Sequence, residues 1–194
     1  MAAFRIALFG GRGRKTRGRV KSRPGTSLGK VKGMLWLEGY PYEVKVQQTA
    51  RNGVKIIEND MVVSLSAMTR ENFANLLDGW YRRRARKAFG AALARWLPEF
   101  EKRGYPVPAP RLKLYKMRRA WGRCYYTKGL ITLNLHLAKT PPECFDYIVL
   151  HELCHFVVHS HSKAFYALMG DILPGWKTID ETLKDFARHN RILY

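Results

Sequence analysis

The chain has 194 residues, 46% of them hydrophobic and 12% aromatic, so it can bury one sizeable core but not two full domains. Its net charge is +20, because 35 lysines and arginines stand against 15 acidic residues. The three cysteines form no Cys-x-x-Cys pair and no apolar run could span a bilayer, which argues against a disulfide framework and a membrane-spanning helix.

The first 33 residues form a basic arm. They contain ten of the lysines and arginines and no acidic residue. A Gly/Arg/Lys-rich segment of this kind cannot form a core, and we expect it to be mobile. It suits contacts with nucleic-acid phosphates, with a solvated tail as an equal alternative. Because the start also lacks the features of a signal peptide, we expect a soluble, cytoplasmic protein.

Short strand-like segments separated by turn residues predict a small antiparallel β unit at residues 34–68. The last two of its strands flank Asn59-Asp60, a dipeptide typical of hairpin turns. The four strands are expected at residues 34–38, 42–47, 53–58 and 61–65.

From Thr69, a suitable N-cap, apolar residues recur at helical spacing and predict an amphipathic helix that ends near Pro98. Trp80 and Trp96 lie on its apolar face and are expected in the core. Residues 99–110 contain three prolines and a glycine, which predict a loop.

Alternating patterns then predict strands at 111–119 and 130–137, with a strand around Cys124 and a turn between them. Thr140-Pro141-Pro142-Glu143 predicts the start of a central helix, with Thr140 as N-cap and Glu143 closing a capping box. This helix is expected to run to about His159. Its few polar positions indicate that it lies inside the protein, with the histidine side facing a cleft.

Two further helices are expected at residues 163–173, capped by Ser162, and from Thr178 to about Arg188. Because strands and helices are grouped rather than strictly alternating, the predicted class is α+β. We divide the chain into the arm at 1–33, the β unit at 34–68 and a catalytic domain at 69–194.

The catalytic prediction rests on the His-Glu-x-x-His motif at residues 151–155. Residues four apart on a helix lie one above the other, so His151 and His155 can bind one zinc ion. Glu152 lies about 100° around the helix, where it can act as general base towards a zinc-activated water without being a ligand. Cys124 and Cys154 are expected to be structural thiols.

A catalytic zinc ion usually takes a third protein ligand. His161 is favoured, because the chain must turn after Ser160 and can fold back over the metal. His159 would lie about 12 Å along the axis from His151 on a regular helix, too far to share the ion. His159, Asp171 and Asp180 remain alternatives.

The predicted reaction is hydrolysis of a peptide bond in a protein or peptide substrate. The substrate would extend along the strand at 130–137 or along its neighbour. Besides zinc, one further group should stabilise the oxyanion, and the sequence leaves Tyr166, Arg123 and Tyr126 open.

Several motifs resemble the YgjP-like metallopeptidases, a group akin to the SprT-like proteases. They agree in order and spacing from roughly Trp80 to Phe186, match more loosely over residues 34–66, and do not extend to the arm. The matching pieces are Trp121-Gly122-x-Cys124, Gly129-x-Ile131-x-Leu133-Asn134, Pro141-Pro142, Asp146-Tyr147-Ile148-Val149, His151-Glu152-Leu153-Cys154-His155 and His161-Ser162-x-x-Phe165.

The resemblance implies a zincin-type domain with zinc on the three histidines at 151, 155 and 161 and with Glu152 as general base. Two departures concern the substrate: the family commonly has Ser where Arg123 stands, and its basic stretch before the second hairpin is reduced to Arg51. SprT-like proteases act on proteins attached to DNA, which by analogy suggests a DNA-proximal substrate. The alternative from another class is a nucleic-acid-associated module with a structural zinc site; the oligomeric state is left open.

Overall fold

The structure is a computed structural model that describes residues 33–190 and has an α+β fold, which confirms the predicted class. The basic arm expected at residues 1–33 lies outside the described residues, apart from Gly33. The strands are β1 (Met34–Leu37), β2 (Tyr40–Gln48), β3 (Gly53–Ile57), β4 (Asp60–Leu65), β5 (Arg111–Tyr115), β6 (Gly122–Tyr125) and β7 (Leu130–Asn134), and the helices are α1 (Arg70–Lys102), α2 (Pro142–Cys154), α3 (Lys163–Ile172) and α4 (Trp176–His189).

Two compact units divide the described residues. One comprises residues 33–35 and 41–79, and the other comprises residues 36–40 and 80–190. The division into an arm, a β unit and a catalytic domain stays a prediction. None of the helices described between residues 33 and 190 combines the length and hydropathy that a membrane crossing requires.

The first sheet has the strand order β1-β2-β4-β3. β4 is antiparallel to β3 but parallel to β2, so the prediction of an antiparallel unit is wrong for this pair. Met61, Val63 and Leu65 of β4 are fully buried, and this strand, which has the most buried residues of the four, takes a central place. The connection at residues 49–52 therefore crosses from one side of β4 to the other.

Helix α1 begins after Thr69, whose hydroxyl accepts a hydrogen bond from a backbone N–H of the first turn at 3.1 Å, which confirms the N-cap. The helix does not end near Pro98 but continues for a further turn. Proline removes one backbone donor. The extra turn is held by Phe100, which is fully buried, and by the ion pair of Glu99 with Arg103 at 2.8 Å.

The second sheet has the order β5-β7-β6, with β5 parallel and β6 antiparallel to β7. β7 ends at Asn134, earlier than predicted, because this buried side chain redirects the chain. Its amide donates to two backbone carbonyls of the loop before β6, at 2.8 and 2.9 Å. Its oxygen accepts from the N–H of His136 at 3.2 Å, at the start of a 3₁₀ helix over residues 135–139.

Helix α2 differs from the prediction at both ends. Its N-cap is Pro141, because the hydroxyl of Thr140 donates instead to the carbonyl of Leu137 at 2.9 Å. It ends at Cys154 rather than near His159. After the C-cap residue His155, the N–H groups of Phe156 and Val157 bond to carbonyls three residues back, which tightens and closes the last turn.

Ser162 caps α3 as predicted, accepting a hydrogen bond from the N–H of Phe165 at 3.4 Å. Helix α4 begins at Trp176, so the capping box predicted at Thr178 is wrong. Gly175 precedes it with φ of 85°, a left-handed conformation that glycine adopts without strain and that lets the helix start earlier.

His136 makes the stability of this fold sensitive to acid. Burial, with repulsion from Lys139 and Lys116, lowers the pKa of His136 to about 4. The unfolded chain protonates this histidine near its ordinary pKa of about 6.5, so the free energy of unfolding falls as the pH drops from about 6.5 to about 4.

We expect His136→Gln, which cannot titrate, to flatten the pH dependence of the unfolding free energy in this interval. Urea unfolding of both proteins at several pH values measures it. A variant as sensitive to acid as the parent would contradict the assignment.

Candidate metal centre

Three histidines meet at the C-terminal end of α2. His151 lies in the last turn, His155 is the C-cap residue, and His161 approaches from the segment before α3. One nitrogen from each ring lies within 4.8 Å of the others, and the Nε2 atoms of His151 and His161 are 2.9 Å apart. Nitrogen ligands of a tetrahedral zinc ion are about 3.3 Å apart, so the rings have nearly the spacing that an ion requires.

His161 reaches the other two histidines because α2 ends early. The N–H of Ser162 donates to the carbonyl of Ser160 at 2.8 Å, which closes a tight turn around His161. His159 points elsewhere: its ring stacks on Tyr126 with 3.7 Å between centroids.

The two carboxylates considered as third ligand are also outside the cluster. Asp171 forms an ion pair with Arg103. Asp180 accepts a hydrogen bond from the hydroxyl of Tyr147 at 3.3 Å and pairs with Lys184. Of the four candidates, the structure therefore places only His161 with the His151–His155 pair.

Phe165 of α3 contacts all three imidazoles. Its ring centroid lies 4.9 Å from that of His151, 4.6 Å from that of His155 and 4.9 Å from that of His161. The side chain is fully buried. One core residue thus supports the three rings from a single side.

Two of the histidines, His151 and His155, are set up as neutral donors. Burial, with repulsion from His155 and His161, lowers the pKa of His151 to about 4. Burial and His161 also lower the pKa of His155, whose Nδ1 lies 3.3 Å from the carbonyl oxygen of Val158. An N–H at that position leaves Nε2 of His155 as the ligand atom.

Glu152 is 4% exposed, and burial raises the pKa of its carboxyl group to about 8. Its side chain lies against Gly122 of β6. A Cβ atom at Gly122 would lie 2.8 Å from Cγ and 2.7 Å from Cδ of Glu152, and closer still to Oε1. The absence of a side chain at Gly122 therefore leaves the room that the carboxylate occupies.

Strand β6 is at the edge of its sheet, beside α2, whereas β7 is central. We expected the substrate to extend along the strand at 130–137 or along a neighbouring strand. Because β7 is central, only a neighbour such as β6 can present an edge to the substrate. Cys124 lies on the same face of β6 as Gly122, and burial together with the charge of Glu152 raises the pKa of its thiol to about 12. Burial also raises the pKa of Cys154 to about 12, which fits a structural role for both thiols.

The three residues considered for the oxyanion lie in different places. The ring of Tyr166 is 6.2 Å from that of His161 and stacks on Trp176 at 5.3 Å. Tyr126 is stacked on His159. Arg123 alternates with Gly122 on β6 and so projects from the opposite face of the sheet to Glu152.

Sequence reasoning assigned no role to Phe165 or Gly122 beyond their membership of motifs. Phe165 follows His161 by four positions, and Gly122 directly follows Trp121. Neither phenylalanine nor glycine, however, is a residue type that binds metals or transfers protons. The contacts that give them importance join separate elements, α3 with α2 and β6 with α2.

The donor set fits a divalent ion of the zinc type. Three imidazole nitrogens converge, the helix that carries two of them also carries the buried Glu152, and the group within residues 33–190 contains no fourth ligand.

Comparison with known proteins places this centre in a family. The family model described as "YgjP-like, metallopeptidase domain" matches residues 14–186, so the match begins inside the arm that the motif resemblance had left out. Among solved structures, the chain is similar to that of the metallopeptidase zymogen of Pyrococcus abyssi abylysin, with 22% identity, a TM-score of 0.41 and coverage of 51% of this chain and 90% of that chain. No curated protein sequence matches the chain.

We expect Phe165→Leu to weaken metal binding by about tenfold or more, because the three rings lose the surface that orients them. Titration with Zn²⁺ against a competing chelator measures the affinity. Phe100→Leu is the matched control, since Phe100 is also fully buried but lies in α1. Equal losses of affinity in the two variants would contradict the role of Phe165.

Proposed function

Because the chain belongs to the YgjP-like metallopeptidase family, we propose that it is a zinc-dependent endopeptidase. The three clustered histidines hold the ion, and Glu152 is the general base. The proposal rests on one observation: three imidazole nitrogens meet at the end of the helix that also carries the buried Glu152. When bound, zinc lowers the pKa of a coordinated water to about 7 and polarises a carbonyl oxygen.

Glu152 moves the protons. Its carboxylate takes a proton from the attacking water and then delivers it to the leaving amine. Burial raises the pKa of this carboxyl group to about 8, and a cation held by the three histidines would favour its ionised form.

The edge of β6 positions the substrate. The carbonyl of Trp121 accepts a hydrogen bond from the backbone of β7 at 2.8 Å. Bonded and non-bonded pairs alternate in an antiparallel ladder, so the backbone groups of Gly122 and Cys124 point away from β7. An extended peptide running antiparallel to β6 bonds to these groups and lies next to Glu152.

Tyr166 is the donor that stabilises the oxyanion. It lies next to His161, and its stacking on Trp176 fixes the plane of the ring. Of the three residues considered, it has the position that best supports this role.

A structural zinc site in a nucleic-acid-associated module would need a fourth protein ligand. The cluster within residues 33–190 offers three, which favours the peptidase. Contact between the arm and nucleic acid stays a prediction.

We expect Glu152→Gln to lower kcat on a peptide substrate by about 100-fold or more while zinc remains bound, because the amide cannot accept the proton. Metal analysis and peptide hydrolysis are measured on the same sample. Glu143→Gln, an exposed change in the first turn of α2, is the control. Full activity of Glu152→Gln would refute the general-base role.

Gly122→Ala should lower kcat by up to about 100-fold, because the new methyl group displaces the Glu152 carboxylate. Zinc content and melting temperature should change little, since the displaced atoms are the end of a flexible side chain. Gly90→Ala is the control, because a Cβ there meets nothing within 4 Å. If kcat of Gly122→Ala matched that of the control, Gly122 would not position the base.

A further inference from the structure

The segment that contains the second sheet is strongly basic. Residues 102–142 include ten lysines and arginines and no acidic residue. This segment supplies the edge strand β6, so the surroundings of the proposed substrate strand carry a positive charge.

The register of the sheet places two of these charges in one row. Lys113 of β5 and Arg123 of β6 both pair with Thr132 of β7, so their side chains project from the same face. Both are exposed at the ends of the row, whereas Thr132 between them is buried. Within residues 33–190 neither forms an ion pair, so their charge is available to a partner.

Arg123 is the charged residue of β6 itself, the strand on which the peptide is proposed to lie. Its backbone groups bond to β7, so an antiparallel peptide residue opposite it forms a non-hydrogen-bonded pair, with Cα atoms about 4.5 Å apart. The side chains of such a pair lie on the same face and contact each other. The neighbouring peptide residue, opposite Gly122, points instead towards Glu152.

We propose that Arg123 makes this peptidase select substrates with an aspartate or glutamate at the position opposite it on β6. The inference rests on the proposed function, because it requires a peptide to bind along this edge and to be cleaved beside Glu152. Lys113 adds a weaker attraction from one strand further away, and Tyr125, 40% exposed on the same face as Arg123, flanks the subsite.

An acidic peptide fits this surface better than a nucleic acid does. The charged row is continuous with the β6 edge, where the backbone of Gly122 and Cys124 offers alternating donors and acceptors. A peptide backbone can pair with such an edge, whereas a sugar-phosphate backbone has no N–H groups to complete the ladder.

The test uses the zinc-loaded full chain and internally quenched peptides. Each peptide carries Asp, Asn or Lys at one position close to the scissile bond, and kcat/KM is measured for each. We expect the Asp peptide to be favoured over the Asn peptide by about 1.5- to fivefold at one position, the range of a single exposed ion pair. The preference should weaken at high salt.

Charge reversal makes the test specific. Arg123→Glu should favour the Lys peptide at the same position, and Arg123→Gln should discriminate little between the charged peptides. Melting temperatures and zinc contents equal to those of the parent show that both variants are folded. Lys55→Glu is the control for net charge, because this exposed lysine belongs to β3 of the other compact unit.

Three results would overturn the inference. Cleavage without charge preference, or a preference unchanged in Arg123→Glu, refutes it and leaves the peptidase function intact. Failure of the zinc-loaded parent to cleave any peptide refutes the proposed function as well. If Arg123→Glu abolished binding of a single-stranded oligonucleotide but kept the peptide preference, the surface would belong to nucleic acid.

Discussion

The contact of one phenylalanine ring with three imidazoles is the constraint on which the metal centre depends. Phe165 is fully buried and lies within 4.9 Å, centroid to centroid, of His151, His155 and His161. Burial lowers the pKa of His151 and His155, which favours the neutral rings that can bind a cation. The packing of α3 on α2 therefore shapes the site as much as the ligands do.

Strand β6 serves the proposed reaction through its alternation. Gly122 faces α2 and leaves space for the carboxylate of Glu152, a group whose burial would be costly without the positive charge proposed beside it. Arg123 projects from the other face, where a substrate side chain can meet it. Because successive side chains of a strand point to opposite faces, the proposed proton transfer by Glu152 and the proposed binding of an acidic substrate side chain by Arg123 take place on opposite faces of β6.

Much of the fold could be predicted where the deciding interactions are local. The N-caps at Thr69 and Ser162 follow from a side chain reaching a backbone N–H within one turn. The continuation of α1 past Pro98 could not be predicted, because it depends on the burial of Phe100. The parallel pairing of β2 with β4 could not be predicted either, because the order of the strands is decided by the packing of the whole sheet.

The sequence by itself determined that His151 and His155 lie on one side of a helix with Glu152 between them, because helix geometry fixes residues four apart. Only the tertiary structure brought His161 to the same point, since α2 ends at Cys154 through backbone bonds that the pattern of apolar residues does not encode. It also decided that β6 lies at an edge of its sheet and that Gly122 makes room for Glu152. Those relations join elements far apart in the chain, and packing of the complete core selects them.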